Sequence, residues 1–203
     1  MPILHQIPTS GNCYKVRLAA HVLDIPLTLK NYPSQQHGGT RTPEFLKINP
    51  NGKVPVLELD DGRRLPESGA ILFYLSEGTR LQPQDRWGRA EMLQWMFFEQ
   101  YSHEPNIAVA RYLGRFALPA ERAAKADRLP ELMAKGNAAL AVMEGRLAAC
   151  DWFAGGAFSV ADIALYAYTH LAEEGGFRLS DYPHIRRWLD RVAAEPGYFP
   201  IIG

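Results

Sequence analysis

The chain is short of cysteine: it has two, Cys13 and Cys150, far apart in its 203 residues. That excludes a disulfide framework, a Cys-x-x-Cys redox pair and a cysteine-built metal site, so no metal is expected. A reduced, cytoplasmic setting is the default expectation. Net charge is also absent, since 22 Lys and Arg balance 22 Asp and Glu. No nucleic-acid-binding surface and no anionic-membrane face is therefore expected, beyond a local patch. No apolar run approaches the ~18 residues of a membrane-spanning helix. The opening Met1-Pro2-Ile3-Leu4-His5-Gln6 lacks a basic stretch leading into an apolar one, so no signal peptide is read. Internal repeats and low-complexity tracts are missing too.

What remains is a globular composition, 47% apolar and 22% charged, long enough for one large or two small domains. Residues 3–7 alternate like a strand, and the cap-rich turn Pro8-Thr9-Ser10-Gly11-Asn12 precedes a helix over 13–23. Leu27, Leu29 and Tyr32 suggest a second strand, and 33–42 a polar loop. Thr42-Pro43-Glu44 opens a short helix, with Thr as cap and Pro in the first turn. Val56, Leu57 and Leu59 form a β-prone run, and Asp61-Gly62 is a hairpin signal. A helix over 69–77 completes a β-α-β-α-β-β-α order, which predicts a small mixed sheet with helices on its faces.

Beyond a linker the pattern is helical throughout. One long stretch covers 87–114, where Pro105 should kink or break it. A second covers about 120–149, where the interior Pro130 allows a break or a late start. Phe158-Ser159-Val160-Ala161-Asp162-Ile163 reads as a capping box with a hydrophobic staple. The helix it opens is apolar nearly all round, as a central bundle helix would be. A last amphipathic helix is expected over about 182–194.

Two features near the hairpin could hold a small polar ligand. Val54-Pro55 leads into a strand, where a proline cannot donate to the ladder; it is either an ordinary edge proline or a cis one that frees the preceding backbone. Glu67-Ser68 lies where helix amides point outward, either as a plain cap or as a carboxylate site.

Taken in order, Asn49-Pro50-Asn51-Gly52-Lys53-Val54-Pro55-Val56-Leu57, Leu65-Pro66-Glu67-Ser68-Gly69-Ala70-Ile71, Phe158-Ser159-Val160-Ala161-Asp162-Ile163-Ala164 and Tyr182-Pro183-His184-Ile185-Arg186-Arg187-Trp188 resemble the soluble glutathione S-transferase family over essentially the whole chain. The resemblance implies a thioredoxin-like domain over 1–78 (here without redox cysteines), a linker over 79–86 and an all-helical domain over 87–203 that lines the electrophile site. It implies glutathione as co-substrate, a small electrophile as second substrate, and a homodimer. Val54 would pair its backbone with the cysteinyl backbone of glutathione, next to a cis Pro55. Glu67 and Ser68 would hold the γ-glutamyl end, and Lys53 the glycyl carboxylate, with His37 and Gln36 weaker candidates.

The glutathione thiol resembles free cysteine, with a pKa of about 8.5, so the enzyme must stabilise the thiolate. Alignment on Val16-Arg17-Leu18 places Ser10 on the family's catalytic serine, in a bacterial-like, serine-type site; a simple N-cap is its other reading. Thr9 and Asn12 are alternative donors. His5 occupies the strand position of the tyrosine-type classes, which disfavours them. Cys13 is either a reactive thiol or core packing, and Cys150 is read as inert. Tyr101, His103, Arg111 and Tyr112 are candidates for the electrophile site. Glu99, Gln100 or Glu104 could reach a neighbouring subunit, near an interface at Phe97-Phe98. Alternatives to conjugation are disulfide or peroxide reduction, isomerisation, or a non-catalytic binding role. The Ser-Ser-Cys signature of the isomerase branch would fall on Ser10-Gly11-Asn12, which departs from it at the last two positions.

Overall fold

A computed structural model describes residues 1–34 and 39–201. It comprises two compact units: Met1–Thr79 together with the described residues from Glu195 onward, and Arg80–Ala194.

The first unit runs β1 (Ile3–Gln6), α1 (Gly11–Val22), β2 (Thr28–Asn31), α2 (Pro43–Leu46), β3 (Val56–Glu58), β4 (Arg64–Pro66) and α3 (Ser68–Ser76). The sheet order is β2-β1-β3-β4; β2 lies parallel to β1, while β3 is antiparallel to both neighbours. A parallel pair needs a crossover, which α1 supplies. The β3–β4 connection turns at Gly62, whose φ of 83° suits a residue without a Cβ. Leu4 and Leu57 pair directly across β1 and β3 and pack with Val16 and Ala20 of α1 and Ile71 and Leu75 of α3. Burying these side chains, at about 1.5–3 kcal/mol each, drives this layer together.

Alternation along β1 turns His5 to the opposite face, where its ring meets Phe45 of α2 edge-on. His5 is buried, with Nε2 3.3 Å from a Glu58 carboxylate oxygen and Nδ1 2.8 Å from the Tyr32 hydroxyl. A carboxylate only accepts, so Nε2 carries the proton and Nδ1 accepts from Tyr32. The strand position that could hold a tyrosine thus holds a histidine tied into a structural network.

The second unit is helical. α4 (Arg86–Phe98) continues through a π-helical segment, Glu99–His103, into α5 (Glu104–Arg115). Pro105 sits in the first turn of α5, so the expected break appears as a widened turn just upstream: proline lacks an N–H and its ring crowds the preceding turn. The helical stretch over 120–149 starts late, as Pro130 allows. α6 (Pro119–Ala124) and a 3₁₀ turn precede α7 (Leu129–Ala149), because Pro130 is accepted only in a first turn. α8 (Val160–Thr169) is buried at every position, as its all-apolar pattern predicts. α9 (Pro183–Ala193) buries Ile185, Trp188 and Val192.

The capping box at Ser159 is present and larger than expected. The Asp162 carboxylate accepts from the Ser159 N–H and O–H and also from the Phe153 N–H and the Trp188 indole, at 2.9–3.2 Å. One side chain therefore joins the α8 start, the preceding loop and α9. Among the described residues no helix is long and apolar enough to cross a membrane.

Candidate active site

The turn ahead of α1 is built by short-range bonds. The Ser10 N–H donates to the Ile7 carbonyl at 3.0 Å, and the Ser10 carbonyl accepts from Tyr14 at 2.9 Å. Ser10 is the N-cap of α1; its Oγ accepts from the Cys13 N–H at 3.4 Å. That bond is long and uses an acceptor side of the hydroxyl. Arg17 steadies the same turn by donating to the Pro8 carbonyl at 2.8 Å. Thr9 and Asn12 flank Ser10, and both are half-buried.

The start of α3 meets the start of α1. Ser68 is 4% exposed, and its hydroxyl donates to Asn12 Oδ1 at 3.4 Å. Glu67 precedes it as the N-cap residue, exposed, with φ 72° and no side-chain capping bond. A non-glycine residue at positive φ costs of order 1–3 kcal/mol and persists where its surroundings require it. Here that conformation leaves the Glu67 carboxylate off its own helix and facing solvent.

The third wall is residues 49–55. The Asn49 side chain donates to the Lys53 carbonyl at 2.7 Å, and the Thr40 hydroxyl to the Gly52 carbonyl at 2.6 Å. Gly52 turns the chain at φ 65°, where a Cβ would press Arg41 and Leu46 at 3.3 Å. The Val54–Pro55 bond is cis and Pro55 is buried. Among the described residues the Val54 N–H and C=O take no backbone partner. Lys53 is exposed. His37 and Gln36 lie outside the described residues.

Several expectations change. Cys13 is fully buried, and burial pushes its thiol up to about 11 from 9.0. Burial in the core favours the packing reading of Cys13 over the reactive-thiol one. His103, expected beside the electrophile, is buried with Nε2 2.9 Å from the Thr169 hydroxyl, which itself donates to Leu165. Arg111 is 4% exposed and paired with Glu174 at 2.7 Å. Tyr112 donates to Glu121 at 2.9 Å. These three side chains bond within the helical unit, whereas Tyr101 is 88% exposed. Glu99 is buried and accepts from Gln100 at 2.8 Å. Phe97 is exposed.

One residue of the site was missed from sequence. Lys15 is buried, and its Nζ donates to Asn12 Oδ1 at 2.7 Å. Its spacing of three from Asn12 on one helix was the available signal.

The glutathione S-transferase N-terminal domain model matches residues 4–82, and the C-terminal domain model matches residues 95–196. A glutathione S-transferase structure from Pseudomonas fluorescens superimposes with a TM-score of 0.95 at 44% identity, covering 100% of this chain and 99% of that one. A possible glutathione S-transferase from Rhodopseudomonas palustris gives 0.94 at 46%, covering 98% and 97%. A glutathione transferase from Burkholderia graminis gives 0.81 at 31%, covering 97% and 85%; its structure holds two glutathione molecules per subunit. The thioredoxin-like sheet unit, the helical unit and both domain matches together make this chain a member of the glutathione S-transferase family.

Proposed function

We propose that the chain is a serine-type glutathione transferase that conjugates glutathione to small hydrophobic electrophiles. The observation that carries this reading is the junction of the α1 and α3 starts, where Ser10 and Asn12 lie beside Glu67 and Ser68. Two helix N-termini and two hydroxyls there favour an anionic ligand, and an exposed carboxylate beside them suits an ammonium. In this reading Glu67 takes the γ-glutamyl ammonium and Ser68 the γ-glutamyl carboxylate. The Val54 backbone pairs with the cysteinyl residue, and Lys53 takes the glycyl carboxylate. The Ser10 O–H donates to the sulfur, whose proton leaves to solvent; the thiolate then attacks the electrophilic carbon and expels its leaving group. The glutathione held by the Burkholderia graminis relative supports glutathione as co-substrate. Tyr101 is the leading candidate for electrophile contact, and the exposed Phe97 for a homodimer face. A cytoplasmic location accompanies this reading.

Thiol exchange through Cys13 is disfavoured by its burial. Retention on immobilised glutathione, followed by conjugation and disulfide-reduction assays on wild type, Ser10→Ala, Glu67→Ala and Cys13→Ala, tests the assignment. Ser10→Ala should lose about 10²-fold in conjugation rate, as expected when one preorganised donor is removed. Glu67→Ala should weaken retention with the fold intact, and Cys13→Ala should stay active. A chain that is not retained, or that loses activity with Cys13 and keeps it without Ser10, overturns the reading.

A further inference from the structure

Asn49 is 4% exposed, and both ends of its side-chain amide are committed to the loop ahead of the cis proline. Its Oδ1 accepts from the Asn51 N–H at 3.1 Å, and its Nδ2 donates to the Lys53 carbonyl at 2.7 Å. A backbone N–H only donates and a carbonyl only accepts, so these two partners fix which end of the amide faces which. The Asn49 carbonyl accepts from the Gly52 N–H at 2.8 Å, and the Thr40 hydroxyl ties down the Gly52 carbonyl at 2.6 Å.

The Lys53–Val54 peptide is trans, since the one cis bond among the described residues is Val54–Pro55. In a planar trans peptide the C=O and the N–H point in opposite directions. Holding the Lys53 carbonyl on Asn49 therefore turns the Val54 N–H away from Asn49. The ladder ends at Val56, which pairs with His5 and Pro66, so Val54 lies beyond it on both sides. Among the described residues the Val54 N–H has no acceptor. A backbone donor held in one direction without a protein partner suits a carbonyl on an extended ligand.

We propose that Asn49 is a positioning residue: through the Lys53 carbonyl it aims the Val54 N–H at the cysteinyl carbonyl of bound glutathione. This inference rests on the glutathione reading above and adds a residue to it. Asn49 itself touches no substrate and lies apart from the thiol chemistry of Ser10, so it acts on recognition of glutathione rather than on turnover.

The test reads hydrogen exchange at the Val54 amide by NMR, together with glutathione affinity, KM and kcat, in wild type and Asn49→Ala. γ-Glutamylcysteamine, which lacks the cysteinyl carbonyl, serves as the second probe. In wild type, glutathione should protect the Val54 amide and γ-glutamylcysteamine should not. Asn49→Ala should raise Kd and KM for glutathione about tenfold, the loss of one hydrogen bond, with kcat within about twofold of wild type. Its affinity for γ-glutamylcysteamine should be unchanged. Equal weakening of both probes would mark a purely structural asparagine and overturn the inference, as would unaltered glutathione binding. Should Asn49→Ala not fold, Asn49→Asp keeps the acceptor for Asn51 but offers Lys53 no donor. The same selective loss is expected there, and its absence overturns the inference. Glutathione bound to wild type with Val54 unprotected brings down this inference alone, whereas a wild type that binds no glutathione brings down the reading beneath it.

Discussion

Asp162 and His170, near opposite ends of α8, carry opposite electrostatic burdens. Burial pushes the Asp162 carboxyl up to about 6 from 3.8, although four donors favour its charged form. Burial pushes His170 down to about 4 from 6.5; its ring stacks on Tyr166 and its Nδ1–H donates to the Tyr166 carbonyl at 2.7 Å. The raised Asp162 value means that its contribution is full below pH 3.8 and is lost as pH rises through about 6. The lowered His170 value means that its contribution is full above pH 6.5 and is lost as pH falls through about 4. The two nearly offset each other in mild acid. Replacing His170→Gln should leave only the Asp162 trend from this pair. The urea stability of the variant relative to wild type should then rise by about 2 kcal/mol between about pH 7 and pH 4.5. An unchanged difference would mean that His170 titrates normally in the native state. None of this could be read from sequence: Asp162 was visible as a capping residue, but the Phe153 and Trp188 donors come from segments brought to it by folding.

Among the helices, glycine shows how packing overrides propensity. Gly136 and Gly145 both lie inside α7, and each should cost about 1 kcal/mol relative to alanine. A Cβ at Gly145 meets nothing within 4 Å, whereas one at Gly136 would lie 2.4 Å from the buried Phe177 ring. Gly145→Ala should therefore stabilise by about 0.5–1 kcal/mol. Gly136→Ala should destabilise by about 1–3 kcal/mol despite its better propensity. Paired thermal melts check the contrast, and equal shifts of the same sign would refute it. The prolines follow similar logic. Pro105 and Pro130 were recognisable as interruptions, but whether each would end a helix, start one or widen a turn depended on what packs around it.

At the scale of the molecule, the chain does not divide into two consecutive pieces. The described residues from Glu195 onward belong with the first unit rather than with the helices that precede them. Tyr14 donates to the Phe199 carbonyl at 2.6 Å, His21 Nδ1 lies 2.7 Å from the Gly197 carbonyl, and Arg17 reaches the Ile201 carbonyl at 3.3 Å. The Phe199 ring packs edge-on against both Tyr14 and His21. Deleting the chain from Glu195 should cost the first unit about 2–4 kcal/mol, at roughly 1 kcal/mol per hydrogen bond plus lost ring burial. Hydrogen exchange along α1 reads this directly, and unchanged protection there would show that the tail adds nothing. Because Arg17 also holds the Pro8 carbonyl, the same deletion should loosen the turn that carries Ser10.

The sequence by itself determined the β-α-β-α-β-β-α order, the hairpin at Asp61-Gly62 and the capped α8; the stretches proposed to wall the site stood out only through the family resemblance. The first three are each encoded locally, by side-chain period, turn chemistry or capping, and local signals survive without knowledge of the fold. Only the tertiary structure decided that Cys13 is buried in the core, that His103, Arg111 and Tyr112 bond to Thr169, Glu174 and Glu121, and that Lys15 is buried with its Nζ on Asn12. These are questions of burial and of which partners arrive from distant segments, and desolvation and hydrogen-bond pairing are set by all the residues that surround a group rather than by its place in the chain.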